Sequence, residues 1–393
     1  MPSASVPSRS ALTSRARDLV PLLREHAPRA EREARLTDEV VDALTEAGIF
    51  RMRLPARFGG YECDTATLVD VSTELGRGDG SVAFDVVAWW VMSWNVGLFP
   101  DEVQDEVFAD PDVRVCGTLA ATATAVPTEG GVLVDGSWAF NSGAAHSSWT
   151  VFAAHLATPD GGAVPIMGVA PIDAFEVVED WSAAGLRGTG SVTLAGRRVF
   201  VPEARYLPVP ELLQEQYASK LNADTPMYRA PVVGALSAAT CGKLVGLARA
   251  AQEDFLQRCA GRPIGDTDYA RRLDAPVTHL QVAEAALKTD EAEYHARRLA
   301  AMVDDKAAAG QEWTLQERAY ARVAVGRVCQ LTSQAVEVVA GAAGASSLRR
   351  DQLVQRVRRD VQAVTLHALN LPSTNLELYG RVLCGLEPNT FFV

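Results

Sequence analysis

No two of the six cysteines, at positions 63, 116, 241, 259, 329 and 384, form a C-x-x-C pair. That excludes a zinc ribbon or a disulfide framework, and cysteines scattered this way read as small buried hydrophobes of a reducing compartment. Histidine is as sparse. The closest two of the six, His146 and His155, stand nine residues apart, so no pair has metal-ligand spacing and no metal is expected. The chain also lacks an apolar run of about eighteen residues and a signal-peptide apolar segment, which points away from a membrane and toward the cytoplasm. Positive charge is in deficit. The 37 Lys and Arg against 49 Asp and Glu leave a net charge of -12 and a pI near 5.1, a poor match to nucleic acid. A dinucleotide fingerprint is missing too: Gly76-Arg77-Gly78-Asp79-Gly80 lacks the last spaced glycine and follows no β-branched strand.

What is present is ordinary globular material, 393 residues with 48% hydrophobic and 22% charged, enough for two or three domains. The opening from Pro2 to Arg17, rich in Ser and Arg, reads as a frayed terminus. Periodicity divides the rest into helix, strand and helix, with expected domains at 10–112, 113–208 and 209–393. In the first, Val40, Val41, Leu44 and Ala47 repeat at helical spacing before Gly48, and a second helical stretch runs from Leu68 to Phe99. In the second, three hairpins are predicted, turning at Asp135-Gly136, at Pro159-Asp160-Gly161-Gly162 and at Ala195-Gly196, as a small sandwich or barrel. In the third, a helix is predicted over 277–307, and the capping box Thr314-Leu315-Gln316-Glu317 opens another that Gly341 ends.

Several segments carry candidate chemistry. Trp138-Ala139-Phe140-Asn141-Ser142-Gly143 is a strand leading to a turn, with a small hydroxyl at its end. Cys116-Gly117-Thr118-Leu119 is a second strand end. Trp181-Ser182-Ala183-Ala184-Gly185-Leu186-Arg187-Gly188-Thr189-Gly190-Ser191 is a glycine-rich path around one arginine. Gln355-Arg356-Val357-Arg358-Arg359-Asp360 leads to His367, and an unbroken helix would put Arg356, Asp360 and His367 on one face.

These segments, in this order over about residues 15 to 385, resemble the flavin-dependent two-component monooxygenases of the acyl-CoA dehydrogenase superfamily. The Gly136–Gly143 and Trp181–Ser191 runs carry the likeness, together with Arg359-Asp360 and His367. Dehydrogenases of that superfamily carry Tyr-Glu-Gly where this chain has His367-Ala368-Leu369, and alanine cannot abstract a substrate proton. The resemblance implies an α+β fold: an N-terminal helical domain, a central β-barrel or sandwich and a C-terminal four-helix bundle. It implies FADH2 or FMNH2 delivered by a separate NAD(P)H:flavin reductase, O2 as co-substrate, and a C4a-hydroperoxyflavin that oxygenates an electron-rich, polycyclic aromatic or natural-product substrate. A homotetramer is expected.

By the same likeness, Ser142 and His367 are the expected catalytic residues. Gly117, Thr118, Leu119, Asn141, Ser142, Gly143, Gly341, Gly344 and Arg356 would hold the flavin. Trp89, Trp90, Met92, Trp94 and Arg187 would meet the substrate. Two other readings stand beside it: an acyl-CoA dehydrogenase or oxidase, with Glu253 as the one glutamate on the first helix of the third zone, and a non-catalytic flavin-fold binding protein.

Overall fold

Residues 6–259 and 261–393 are described in the computed structural model, so the first five, part of the supposed frayed opening, lie outside it. The remainder of that opening is ordered. Ser8 accepts from Ala11 N and starts helix α1 (Arg9–Glu33), whose apolar face at Leu12, Ala16, Leu23 and Ala27 is buried. Helix α2 (Asp38–Glu46) follows. The stretch read as one helix is two, α3 (Thr65–Gly78) and α4 (Gly80–Val96), because extended Asp79 breaks the first and caps the second through Val82 N. Helix α5 (Asp101–Val107) leads into the strands.

Seven strands make one sheet: β1 (Val115–Thr128), β2 (Gly131–Asn141), β3 (Trp149–Ala157), β4 (Ala163–Pro171), β5 (Glu176–Val178), β6 (Val192–Pro202) and β7 (Tyr206–Pro208). Their order is β5-β6-β2-β1-β3-β4-β7, with β1 and β3 parallel and the other pairs antiparallel. Two predicted turns are wrong. Asp135-Gly136 lies inside β2 and Ala195-Gly196 inside β6, and Gly136 pairs with Gly196 where the register shifts. These glycines are bulge and close-approach residues: a Cβ on Gly136 would collide with Ala123, and one on Gly196 would press on the Phe175 ring. The hairpin around 159–162 forms as expected, between β3 and β4. Trp138 anchors the sheet's core, 5.3 Å from Phe152 and 5.5 Å from Phe175 between ring centroids.

After a short helix α6 (Val209–Leu213) come α7 (Val232–Cys259), α8 (Pro276–Ala309), α9 (Leu315–Ala343), α10 (Leu353–Thr365) and α11 (Pro372–Leu383). The capping box at Thr314 and Glu317 is formed, but α9 runs past Gly341 to Gly344, whose φ of +69° ends it. By length and composition α7 could cross a membrane, yet its most apolar window is 89% buried, which marks it as the bundle's core helix.

The 181–191 segment is the joint between sheet and bundle. Asp360 on α10 accepts from Leu186 N at 2.7 Å, and Arg359 donates to Ala184 O and pairs with Glu31 of α1 at 2.6 Å. At Gly185 a Cβ would run into the backbone of Arg359. Gly185→Ala should therefore cost about 1–3 kcal/mol of stability through overpacking, read as a lowered urea midpoint.

Candidate active site

At the end of β2 the chain turns sharply, with φ of +67° at Phe140 and +71° at Gly143. The turn is held by its own polar atoms. Asn141 Nδ2 donates to Trp138 O at 2.5 Å, and Gly143 N donates to Thr189 O at 2.9 Å. Both groups expected to contact a flavin are thus already used for structure, and a Cβ at Gly143 would sit 2.5 Å from the Trp89 indole. Phe140 instead projects its ring outward, 68% exposed, edge-on to Trp181 at 6.1 Å.

Ser142 is different, because its hydroxyl heads a chain whose direction can be worked out. Thr189 Oγ1 donates to Leu186 O at 2.8 Å, so its single proton is spent. It can only accept from Ser191 Oγ, 2.6 Å away, and Ser191 in turn can only accept from Ser142 Oγ at 2.7 Å. Ser142 therefore donates inward, and its lone pairs are available to a donor outside.

Beside this turn β1 departs from its ladder. Five residues of β1, from Gly117 to Ala121, span three of β3, Val151 to Ala153, and pairing with β2 begins only at Thr124. Thr118, Leu119 and Ala120 have no ladder partner on either side, and the residues from Gly117 to Leu119 are only partly buried. Ala120 N donates to Thr118 Oγ1 at 3.4 Å; the off-ladder main-chain groups of Thr118 and Leu119, at a strand end next to an acceptor hydroxyl, match the amide edge of an isoalloxazine ring. The residues present fit a flavin there.

The tryptophans do not line a ligand-sized opening: Trp90 and Trp94 border a cavity of only about 10 Å³. Trp89, Trp90 and Trp94 are each 1% exposed, and their indole N–H groups bond to Ser147 Oγ, Ile49 O and Met227 O. Met92 joins the core cluster with Trp94. The strip of α4 that keeps some surface is Phe84, Ala88 and Val91, at i, i+4 and i+7. A residue one position along the helix is turned by about 100°, which sends the indoles into the core. Asp85, next to Phe84, is wholly buried, and neither carboxyl oxygen has a partner among the described residues. Burial, then Asp79, raises its pKa well above the carboxylate range, so it is a neutral acid.

Arg356, Asp360 and His367 do not share one helix. α10 ends at Thr365, and His367 lies in the following turn, where its Nδ1 accepts from Leu369 N at 3.3 Å. In the neutral ring the proton is then on Nε2. Residue 367 is exposed on its outer side, while its ring is crowded from within. Desolvation, then Lys243 and Arg322, lowers its pKa; water on the open side limits the drop, and the imidazole is neutral near pH 7. Arg356 does not reach this turn: its Nε is 3.7 Å from Asp79 Oδ2. Arg187 sits where the 187–189 turn packs on α1 and α4, its Nε buried without a partner among the described residues. At Gly341 and Gly344 a Cβ would meet open space, so within one chain nothing presses on either glycine.

Two residues escaped the sequence reading. Lys243 is the one charge in 232–248, and Asp85 the one charge in 80–98. A lone charge in an apolar helix was the available signal.

Asp360 supplies a test of the joint. Burial and then Asp79 push its pKa up to about 7, so folding takes up a proton between the ordinary carboxyl range and that value. Its penalty is absent at low pH, grows as pH rises toward 7, and persists above. Asp360→Asn keeps an acceptor for Leu186 N and should stabilise by on the order of 1–4 kcal/mol near pH 8, with the gain shrinking toward pH 5. Asp360→Ala, lacking the acceptor, should cost about 1–3 kcal/mol near pH 5. Denaturant melts at the two pH values check both.

Comparison with known proteins agrees with this architecture. Residues 9–109 match the acyl-CoA dehydrogenase N-terminal domain and residues 238–372 the acyl-CoA dehydrogenase C-terminal domain. The chain is 31% identical over 381 residues to the flavin-dependent monooxygenase oxygenase subunit HsaA of Mycobacterium tuberculosis, covering 96% of each. It is 28% identical over 388 residues to the oxygenase component of an FADH2-dependent resorcinol hydroxylase from a Rhizobium species, covering 96% of this chain and 95% of that one. Among solved structures, XiaF from a Streptomyces species, in complex with FADH2 and glycerol, superposes with a TM-score of 0.92 at 29% identity over 97% of each chain.

Proposed function

The chain belongs to the acyl-CoA dehydrogenase family, among its flavin-dependent monooxygenases, and on that premise we propose that it is the oxygenase component of a two-component system acting on an electron-rich aromatic substrate. The observation that carries the reading is the one-way hydroxyl chain behind Ser142. Reduced flavin, FADH2 or FMNH2 from a separate reductase, would supply the oxygen-activating chemistry when bound. This chain's residues supply binding, orientation and exclusion of water. The off-ladder backbone at Thr118 and Leu119 would hold the ring's amide edge. Ser142 Oγ, an acceptor by the direction of its chain, would take a hydrogen bond from a ring N–H and so keep that proton in place. Neutral His367, in the turn after α10, offers Nε2–H as a donor. A dry site suppresses loss of the activated oxygen as hydrogen peroxide.

The dehydrogenase alternative loses its acid. Glu253 is bonded to Arg77 at 2.8 Å and to Arg24 at 2.7 Å, which hold its carboxylate below the usual range rather than as a base.

Mixing the protein with chemically reduced FMN or FADH2 in air tests the proposal. Oxygen uptake should depend on added reduced flavin, and bleaching of a tightly bound yellow flavin by acyl-CoA would instead mark a dehydrogenase. Ser142→Ala and His367→Ala should bind reduced flavin within a few-fold of wild type while releasing about tenfold more hydrogen peroxide per product formed.

The homotetramer is likewise our proposal. Val277, Leu280, Leu287 and Tyr294 recur along α8 with exposures from 50% to 72%, a stripe too apolar to face water unshared. A groove of about 470 Å³ between α9 and α10, lined by Val336, Leu348, Val361 and Leu366, adds a second apolar surface. Leu280→Asp with Leu287→Asp should lower the mass measured by light scattering to that of a smaller assembly.

A further inference from the structure

Lys243 stands in the middle of α7 and is 3% exposed. Its ammonium has no ion-pair or hydrogen-bond partner among the described residues. A lysine so placed cannot carry its charge out to water along its own stem, and with only the Phe84 ring face as partner the buried ammonium is costly. The side chain has a definite direction: Nζ lies 4.7 Å from the centre of the Phe84 ring. Phe84 heads the partly open strip of α4, and Thr240, one turn before Lys243 on α7, is also partly open.

The groups that face this ammonium are few. On α7 itself there is Cys241, and from α9 there is Cys329, both thiols that burial raises and keeps neutral, Cys329 to about 12. From the turn after α10 there is His367, whose own protonation Lys243 opposes. From α3 comes only a close backbone approach, with Gly76 against the Lys243 carbonyl. No carboxylate faces it among the described residues. Desolvation lowers the Lys243 pKa to about 8, so amine and ammonium forms are both accessible near neutral pH.

We propose that Lys243 anchors the substrate by binding an acidic hydroxyl, phenolic or enolic, as its oxyanion, with the ring against Phe84. Where the amine is neutral, the hydroxyl proton passes from oxygen to Nζ and leaves an oxyanion–ammonium pair; no other bond changes. An oxyanion sends electron density into the ortho and para carbons of its ring, which prepares the ring for electrophilic oxygen. That use rests on the oxygenase reading above, whereas binding and ionisation do not.

The test uses the purified, flavin-free full chain and 4-nitrophenol, whose phenolate alone is yellow. At a pH one unit below the probe's own pKa, wild type should turn it yellow on binding and favour phenolate over phenol by about tenfold or more. Lys243→Met should keep or raise the melting temperature, because an unpaired buried charge is removed, and should lose the yellow band with about tenfold of the affinity. Lys243→Gln should bind the probe without the yellow band. The proposal is overturned if the Met variant matches wild type in spectrum and affinity, or if wild type gives no phenolate band at millimolar probe. Oxygen uptake that fails while the yellow band appears would sink the oxygenase reading and leave this one standing.

Discussion

Helices α3 and α7 touch through glycine. A Cβ on Gly242 would run into Ser72 and Val69, one on Gly246 into Thr73, and one on Gly76 would sit 2.5 Å from the Lys243 carbonyl. Backbones this close leave no layer of side chains between the first helices and the C-terminal bundle. The contact therefore fixes the distance between α4, which follows α3 directly, and α7. Phe84 and Lys243 face each other because of it, and a lysine that could bend outward from a looser pair is held inside.

The second joint is built of charge, where the first is built on glycine with one ion pair, Arg77–Glu253, near its end. Asp79 starts α4, Asp360 holds the 185–187 turn, and Arg356 lies between helices near Asp79. Asp360 and its neighbour Arg359 join α10 to the glycine-rich turn and α1, and Arg356 brings α10 up to the start of α4. That turn also carries Thr189 and Ser191, so the hydroxyl chain behind Ser142 is positioned by the same joint.

The fold was legible because helix caps and periodicities are local. Thr314 and Glu317 announced α9, and Ser142 stood out as a small hydroxyl at a strand end. The misreadings share one cause: glycine and aromatic residues were assigned by type where packing decides. Gly136, Gly196 and Gly341 looked like turns but lie inside regular elements, the first two where a neighbouring chain or ring comes close. Trp89, Trp90 and Trp94 looked like a flat-ligand wall but fall off the open strip by one helical position. Lys243 and Asp85 went unread because a single charge in an apolar run has no periodicity to announce it.

The Ser142 chain has a blind end. Its last acceptor, the Leu186 carbonyl, has no proton to surrender and cannot hand one onward, so the relay is a cul-de-sac rather than a conduit. Protons near the strand end cannot drain through the protein's interior on that side. The fold thus closes the Ser142 flank to proton transfer through the hydroxyl chain, and whatever acid–base exchange the strand end requires must use another route.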